Sequence, residues 1–244
     1  MKAARAAPLA VVTGASRGLG EAVGRFLAGE GYDLVVVARG AARLEEVAAE
    51  LRALGVAVVA VAGDVAAPTT RARIAAAVRP RGRLDLLLNN ASELGPSPLR
   101  PLAEISPVDL ERIYRTNVVA PIALLQLLRP FLAVAGGRLV NISSDAAVEG
   151  YPGWGGYGAS KAALDLVTRT LARELAADGI SAVSVDPGEM RTAMHQAAFP
   201  GQDISDRPLP DVTIPFFAWL LHEDPRRLSG ARFKAQAERW EVPA

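Results

Sequence analysis

Tyr157 and Lys161 are the pair of side chains in this sequence best suited to acid–base chemistry. They are four residues apart in a segment with helical periodicity, so both project from one face of a helix. An ammonium group beside a phenol favours the phenolate, so we expect Lys161 to bring the Tyr157 pKa from about 10 towards the working range of a general acid or base. The same spacing fits an ordinary amphipathic helix face, and the pair alone leaves both interpretations open.

Hydroxyl and amide side chains elsewhere in the sequence could assist such a pair. Ser143 and Ser144 follow the apolar run 138–142, which predicts a strand whose carboxyl end carries hydroxyl groups, where α/β folds bind ligands. Asn117 lies in an apolar helical segment, and an amide there is costly unless it is hydrogen-bonded. These residues are candidates for positioning a substrate oxygen, with local structural roles as the alternative.

A glycine-rich segment, residues 13–20, follows the first predicted strand and leads into a helix. Glycine permits positive φ and close approach of phosphate to the backbone, and a helix N-terminus presents free N–H groups. The alternative is a tight strand–helix connection without a ligand, but the position after the first strand favours a dinucleotide site. The candidate contact residues are Gly14, Ser16, Arg17, Gly18, Leu19 and Gly20.

The end of the second predicted strand indicates which dinucleotide is preferred. In such folds an acidic residue there accepts a hydrogen bond from the ribose 2′-OH of NAD, whereas arginine accommodates the 2′-phosphate of NADP. The strand ends in Ala38-Arg39 without an acid, and Arg17 lies in the glycine-rich segment. The sequence therefore favours NADP(H) over NAD(H), although both arginines could also be ordinary surface groups.

Short apolar runs alternate with helical segments along the chain, which predicts a Rossmann-like, doubly wound parallel sheet with helices on both faces in a single α/β domain. The predicted strands are Leu9–Thr13, Asp33–Ala38, Val56–Ala60, Leu84–Leu88, Arg138–Ile142 and Ile180–Val185, with a final strand near Ala231–Ala235. Helices are expected to begin near Gly18, Ala41, Thr69, Ser106 and Thr116, and a longer one to span Gly156–Asp178 before Gly179.

No Pro-, Gly- or Ser-rich linker divides the chain. We expect a flexible tail over residues 1–8 and one catalytic domain over residues 9–244. The segment 193–213 loses clear periodicity and contains several prolines, so it is expected to form a mobile substrate loop.

The composition argues against several classes of partner. The chain has 244 residues, a net charge of +1 and no cysteine. This composition predicts a cytoplasmic protein with a small-molecule partner, without nucleic-acid or membrane binding. Only His195 and His222 could supply imidazole ligands, and their spacing does not suggest a metal site.

Taken together, these motifs resemble the short-chain dehydrogenase/reductase family. Its TGxxxGxG glycine motif is matched by Thr13, Gly14, Gly18 and Gly20, and its YxxxK motif by Tyr157 and Lys161. The resemblance implies that Asn117, Ser144, Tyr157 and Lys161 form the catalytic set. In that set Ser144 orients the substrate oxygen, Lys161 binds the nicotinamide ribose and Asn117 holds a water.

Three further motifs follow predicted strands and extend the resemblance over about residues 9–192. It implies that Asp64 and Val65 contact adenine and that Asn90 and Ala91 flank the ribose. It also implies that the segment containing Pro187, Gly188 and Thr192 borders the nicotinamide carboxamide.

Two residues depart from the family pattern. Ser92 replaces a usual glycine and Asp186 replaces a usual asparagine, which puts the local loop geometry in doubt.

The expected function is NADP(H)-dependent hydride transfer to a ketone or aldehyde carbon, with Tyr157 transferring the proton. The alternatives are a non-catalytic NADP(H) sensor or scaffold, and an NAD-dependent alcohol dehydrogenase. A homodimer or homotetramer is expected by resemblance. The candidate pocket residues, for which core packing or a surface-loop position is the alternative, are Tyr151, Trp154, Glu189, Met190, His195 and Phe199.

Overall fold

The computed structural model describes residues 7–242, in which seven strands form one parallel sheet. The strands are β1 (Leu9–Thr13), β2 (Asp33–Ala38), β3 (Val58–Ala62), β4 (Leu86–Asn89), β5 (Arg138–Ile142), β6 (Ser181–Asp186) and β7 (Arg232–Lys234). Their spatial order is β3-β2-β1-β4-β5-β6-β7. The predicted doubly wound α/β fold is confirmed. Most of the predicted tail, residues 1–6, lies outside the described part of the chain.

The predicted bounds are correct for β1, β2 and β5, whereas the other strands are displaced by one or two residues. The largest displacement is in β3, which begins at Val58 and not at Val56. The Ala57 N–H is bonded by the Asp33 carboxylate at 2.8 Å. A side-chain hydrogen bond thus replaces the backbone bond that the Ala57 N–H would make to the neighbouring strand. The hydrophobicity of the segment could not indicate this later start of β3.

Helices cover both faces of the sheet. They are α1 (Gly18–Gly29), α2 (Ala41–Arg52), α3 (Pro68–Val78), α4 (Pro107–Tyr114), α5 (Ala120–Ala135), α6 (Gly155–Glu174), α7 (Ala193–Ala198), α8 (Ile214–His222) and α9 (Pro225–Leu228). Because side chains alternate along a strand, Ala10 and Val12 pack with α1, α2 and α8 on one face, while Leu9 and Val11 pack with α3, α5 and α6 on the other. The sheet is therefore buried on both sides, as parallel sheets require.

The helix expected to begin near Thr116 is not separate. Residues Arg115–Val119 form a π-helical turn that joins α4 to α5, giving one helical stretch, Pro107–Ala135. π-Helical turns are uncommon and are often found at functional sites. This turn contains Asn117, and apolar periodicity does not distinguish it from the start of a new helix.

That stretch is also long and apolar enough to cross a membrane, a test that core helices of soluble proteins pass as well. Its side chains Leu124, Leu128 and Leu132 are completely buried in the domain core. The architecture is that of a Rossmann-like domain in which this stretch covers one face of the sheet.

Two other predicted segments are revised. The long helix α6 ends at Glu174, and a 3₁₀ turn, Ala176–Asp178, continues to Gly179, which has the expected positive φ of 72°. The segment 193–213 is not structureless, because it begins with α7 and ends in a 3₁₀ turn, Pro210–Thr213. Thr192 caps α7 by accepting the His195 N–H at 3.1 Å.

Candidate functional site

A cavity of about 760 Å³ lies at the carboxyl ends of the strands and brings together nearly all the predicted site residues. Those that line it are Gly14, Ser16, Arg17, Gly18, Leu19, Arg39, Asp64, Val65, Asn90, Ala91, Ser144, Tyr157, Lys161, Pro187, Gly188 and Thr192. Gly20 and Asn117 lie behind its wall. The cavity is within the size range of ligand and cofactor sites, and it spans the point where the strand order reverses between β1 and β4.

The glycine turn is packed tightly against the segment that follows β4. Asn90 Nδ2 donates to the carbonyl oxygens of Thr13 (2.8 Å) and Gly14 (3.2 Å). Gly14 has a φ of +70°, and a Cβ there would lie 2.7 Å from Asn90 Nδ2. A Cβ on Gly20 would collide with the Gly14 carbonyl oxygen. Gly20 and Asn90 therefore shape the turn from behind, while Gly14 and Gly18 face the cavity.

The two predicted phosphate-binding arginines lie at one end of the cavity. Arg17 and Arg39 are both exposed. Arg39 Nη1 is 3.5 Å from Glu93 Oε2, and Glu93 lines the same cavity. This acid was missed in the sequence because it does not follow the second strand. Since the Arg39 side chain is 72% exposed, the pair is weakly held.

Tyr157 is nearly inaccessible to solvent, and burial raises its pKa to about 12. Hydrogen bonding with Ser144 and Ser92 acts in the opposite direction, but it does not offset burial. The predicted lowering of the Tyr157 pKa is therefore wrong for this structure, because desolvation of the phenolate outweighs the stabilising contacts. At neutral pH the Tyr157 hydroxyl carries its proton.

Lys161 lies one turn after Tyr157 on α6 and is 2% exposed. Its Nζ donates to the Ile142 carbonyl oxygen at 2.7 Å and is 5.5 Å from the centre of the Tyr157 ring. Burial lowers its pKa to about 8, while the charge of Asp165 opposes the shift. Lys161 is therefore a cation at pH 7 and close to its titration range.

Ser144 lies directly after β5, as predicted, and its hydroxyl group bonds locally. Its Oγ donates to Asp145 Oδ1 at 2.9 Å and accepts the Ala146 N–H at 3.2 Å. Ser143 also borders the cavity, but its Oγ is buried without a hydrogen-bond partner among the described residues. Asp145 was missed, although its position beside Ser144 at a strand end was a signal for a site residue.

Asn117 is held entirely by protein groups. Its Nδ2 donates to the Glu93 carbonyl oxygen and to Ser160 Oγ, both at 2.9 Å. Its Oδ1 accepts the Glu93 N–H at 2.7 Å and the Ser92 hydroxyl at 3.2 Å. These four bonds are all the hydrogen bonds that the Asn117 side chain can make. A water held by Asn117 would therefore have to bond to its backbone, for example to the carbonyl oxygen.

Asp186, the second departure from the family pattern, belongs to a buried ion-pair network. Arg232 Nε donates to Asp165 at 2.9 Å, and its Nη2 donates to Asp186 at 3.3 Å and to the Ser144 carbonyl oxygen at 2.7 Å. Asp186 also accepts the Gly188 N–H at 3.1 Å. One guanidinium group thus connects α6, the end of β5 and the Pro187-Gly188 segment.

All six residues suggested for the substrate pocket line the cavity. The Trp154 ring packs edge-on against Tyr157, with 5.7 Å between centroids, and lies 6.1 Å from Phe199. Leu94 and Met190 are buried nearby in the cavity wall. Over residues 7–242 no cluster of His, Asp or Glu side chains is arranged to bind a metal ion.

The chain is similar to known proteins over most of its length. The short chain dehydrogenase family matches residues 8–203. L-xylo-3-hexulose reductase of Hypocrea jecorina is 36% identical, with 91% of this chain and 79% of that protein covered. The 3-oxoacyl-[acyl-carrier-protein] reductase FabG of Staphylococcus aureus is 35% identical over 77% of this chain and 76% of its own.

A solved short chain dehydrogenase of Shigella flexneri, complexed with NADP, has a TM-score of 0.86 and 30% identity, covering 94% of this chain and 97% of its own. The first two of these relatives are named as reductases, one of a hexulose and one of a 3-oxoacyl group. The chain therefore belongs to the short chain dehydrogenase family and is an oxidoreductase acting on CH–OH or C=O groups.

Proposed function

We propose that the protein reduces a ketone or aldehyde with NADPH, with Tyr157 as the proton donor. The observation that carries this proposal is the buried Tyr157 hydroxyl, which lies beside Ser144 in the cavity that also contains the glycine turn. Burial raises the Tyr157 pKa to about 12, so the phenol is protonated at neutral pH and suited to donating a proton to a developing alkoxide.

The other catalytic residues have distinct roles in this proposal. Ser144 orients the substrate oxygen, and its hydroxyl hydrogen turns from Asp145 to the substrate when one binds. Lys161 supplies positive charge beneath Tyr157 and binds the nicotinamide ribose. Asn117 holds the π-helical turn in place through its four hydrogen bonds and supports proton supply to Lys161.

The residues present fit a dinucleotide cofactor. A Cβ at Gly14 or Gly20 would collide with Asn90 or with the Gly14 carbonyl and distort the turn, and the N–H groups at the start of α1 are available to a pyrophosphate. Asp64 and Val65 border the adenine end, Asn90 and Ala91 the ribose, and the segment from Pro187 to Thr192 the nicotinamide end. When bound, the nicotinamide supplies the hydride for reduction.

Preference for NADP(H) over NAD(H) rests on charge. Arg17 and Arg39 are exposed at the same end of the cavity, and no acid ends β2. The weak Arg39–Glu93 pair can open in favour of a phosphate dianion, which binds guanidinium more strongly than an exposed carboxylate does. The NADP complex of the Shigella flexneri relative supports this choice.

We further propose a cytoplasmic homodimer or homotetramer that acts on a small molecule. Leu127 and Val134 on α5 and Leu166 on α6 are 45–69% exposed. Such side chains on two neighbouring helices suit contact with another copy of the chain.

A comparison of NADPH and NADH oxidation across a panel of ketones and aldehydes tests this function. Tyr157→Phe is expected to lower kcat by about 10²–10⁴-fold, the usual contribution of a general acid, while NADPH still binds. Tyr114→Phe is the matched control, because Tyr114 does not line the cavity.

Different results would support the two alternatives. NADPH binding without turnover of any carbonyl would favour a sensor or scaffold. Faster alcohol oxidation with NAD would favour the dehydrogenase.

A further inference from the structure

Asp145 places a carboxylate beside the reacting groups. Its Oδ1 accepts the Ser144 hydroxyl at 2.9 Å and the Ala146 N–H at 2.8 Å, and its Oδ2 accepts the Tyr151 hydroxyl at 3.1 Å. A carboxylate can accept about four hydrogen bonds. Within the described residues, one position on Oδ2 is therefore left for a further donor, and Asp145 lines the cavity.

The charge of Asp145 is not neutralised by a neighbouring cation. None of the salt bridges among residues 7–242 involves it. Hydrogen bonding to Asp145 raises the pKa of Tyr151, and its charge also acts on Tyr157 and His195. An unneutralised carboxylate attracts hydrogen-bond donors and repels anions at this position.

His195 provides a second polar group in the same part of the cavity. Its Nε2 is buried and has no hydrogen-bond partner in the described structure. Burial lowers the pKa of His195, so the imidazole is neutral at pH 7 and adds no positive charge that would attract an anionic substrate.

Apolar side chains make up much of the remaining wall, and its charged groups do not favour an anionic substrate. Trp154 and Phe199 form an aromatic surface next to Tyr157. Among the cavity-lining residues between 143 and 199, the one fixed cation is Lys161, which is bonded to a backbone carbonyl. Arg207 is engaged by Glu189 at 2.7 Å and by Asp206.

We propose that Asp145 determines specificity by binding a hydroxyl group next to the reacting carbonyl, and that the substrate is a neutral hydroxy ketone with an apolar or aromatic substituent. The hydroxyl donates to Asp145 Oδ2, and the substituent packs against Trp154 and Phe199. This inference rests on the proposed carbonyl reduction and adds the class of substrate.

The proposal is tested by measuring the reduction of four phenyl ketones with NADPH. They differ only in the group attached to the other side of the carbonyl carbon. They are acetophenone, 2-hydroxyacetophenone, 2-methoxyacetophenone and phenylglyoxylate. The methoxy compound retains the inductive effect of the oxygen but cannot donate a hydrogen bond. Because a hydrogen bond to a charged group contributes about 1.5–3 kcal/mol, kcat/KM is expected to be at least about tenfold higher for the hydroxy than for the methoxy ketone. Phenylglyoxylate is expected to be the poorest substrate.

Asp145→Asn removes the charge with little change in shape. The hydroxy-to-methoxy ratio is expected to fall towards one, and kcat/KM for phenylglyoxylate to rise relative to acetophenone. We compare ratios of kcat/KM because Asp145 also orients the Ser144 hydroxyl, and a change in that orientation would affect the reduction of all four ketones. Glu149→Gln is the matched control, since this exposed carboxylate does not line the cavity; its ratios are expected to equal those of the wild type.

The wild-type ratios test the proposal even if Asp145→Asn does not fold. Reduction of acetophenone and the methoxy ketone without preference for the hydroxy ketone would overturn the inference and leave the proposed function standing. A preference that persists in folded Asp145→Asn, or one for phenylglyoxylate in the wild type, would also overturn it. Failure to reduce any carbonyl with either nucleotide would overturn both proposals.

Discussion

The nucleotide end and the catalytic end of the cavity are held together in different ways. At the nucleotide end, consecutive residues of the glycine turn face the ligand, and Asn90 binds their carbonyl groups. Its two arginines are exposed, and Arg39 pairs only weakly with Glu93. At the catalytic end, Tyr157 and Lys161 are buried, and Arg232 joins elements that are far apart in sequence. Removing a charge should therefore affect mainly binding at the first end and mainly stability at the second.

The largest predicted effect is that of Arg232→Met at the catalytic end. It leaves Asp165 and Asp186, whose side chains are 10% and 4% exposed, without their cation. Breaking a buried pair in this way costs about 3–5 kcal/mol, so the free energy of unfolding in urea should fall by that amount. Adding Asp186→Asn should recover part of the loss, because one carboxylate is then neutral.

Arg226→Met is the control for this variant, since Arg226 is 82% exposed and, within residues 7–242, pairs only with Asp224. Its effect should be within about 0.5 kcal/mol. Equal stability of the Arg232 and Arg226 variants would remove the distinction between the two ends.

Lys161→Met should change how stability depends on pH. Burial lowers the Lys161 pKa from its ordinary 10.5 to about 8. Between these values the unfolded chain binds a proton that the folded chain has released, so this residue makes wild-type stability rise with pH. At about 1.4 kcal/mol per pH unit, the wild type should gain about 2 kcal/mol over the variant between pH 7 and pH 10.

Urea unfolding of both proteins at pH 7, 8.5 and 10 measures this difference. The range stops at pH 10 because Tyr157 has the opposite effect. Its raised pKa stabilises the fold below pH 10, and this contribution is lost as the pH rises towards 12. If the free energies of unfolding of the wild type and of Lys161→Met changed with pH in the same way, burial would not lower the Lys161 pKa.

Of these three substitutions, Arg39→Asp should change the free energy of unfolding least. Its main effect should be on nucleotide binding. Loss of a charge-assisted contact to the 2′-phosphate should weaken NADPH by about tenfold to a hundredfold, with little change for NADH. Titration of both nucleotides measures this. Arg112→Asp is the control, because Arg112 also approaches Glu93, at 3.7 Å, but does not line the cavity. Equal weakening of NADPH and NADH by Arg39→Asp would contradict the assignment of NADP(H).

Local patterns were enough to predict much of the fold. The largely apolar runs of β1, β2 and β5 predicted their bounds correctly, because strands buried on both faces are mostly apolar. The glycine turn was also recognisable, since its strand, glycines and helix are consecutive. The π-helical turn at Asn117 and helix α7 were not predicted, because both depend on packing and capping that periodicity does not report.

By itself, the sequence determined the fold class, the position of the glycine turn, the position of Ser144 after a strand, and that of Tyr157 and Lys161 in the first two turns of a helix. Only the tertiary structure decided their protonation, because pKa depends on burial and on neighbours brought in from other elements. It reversed the predicted direction of the Tyr157 shift. It also assembled the Arg232 network, whose partners are 46 and 67 residues away along the chain, a separation that local sequence patterns do not register.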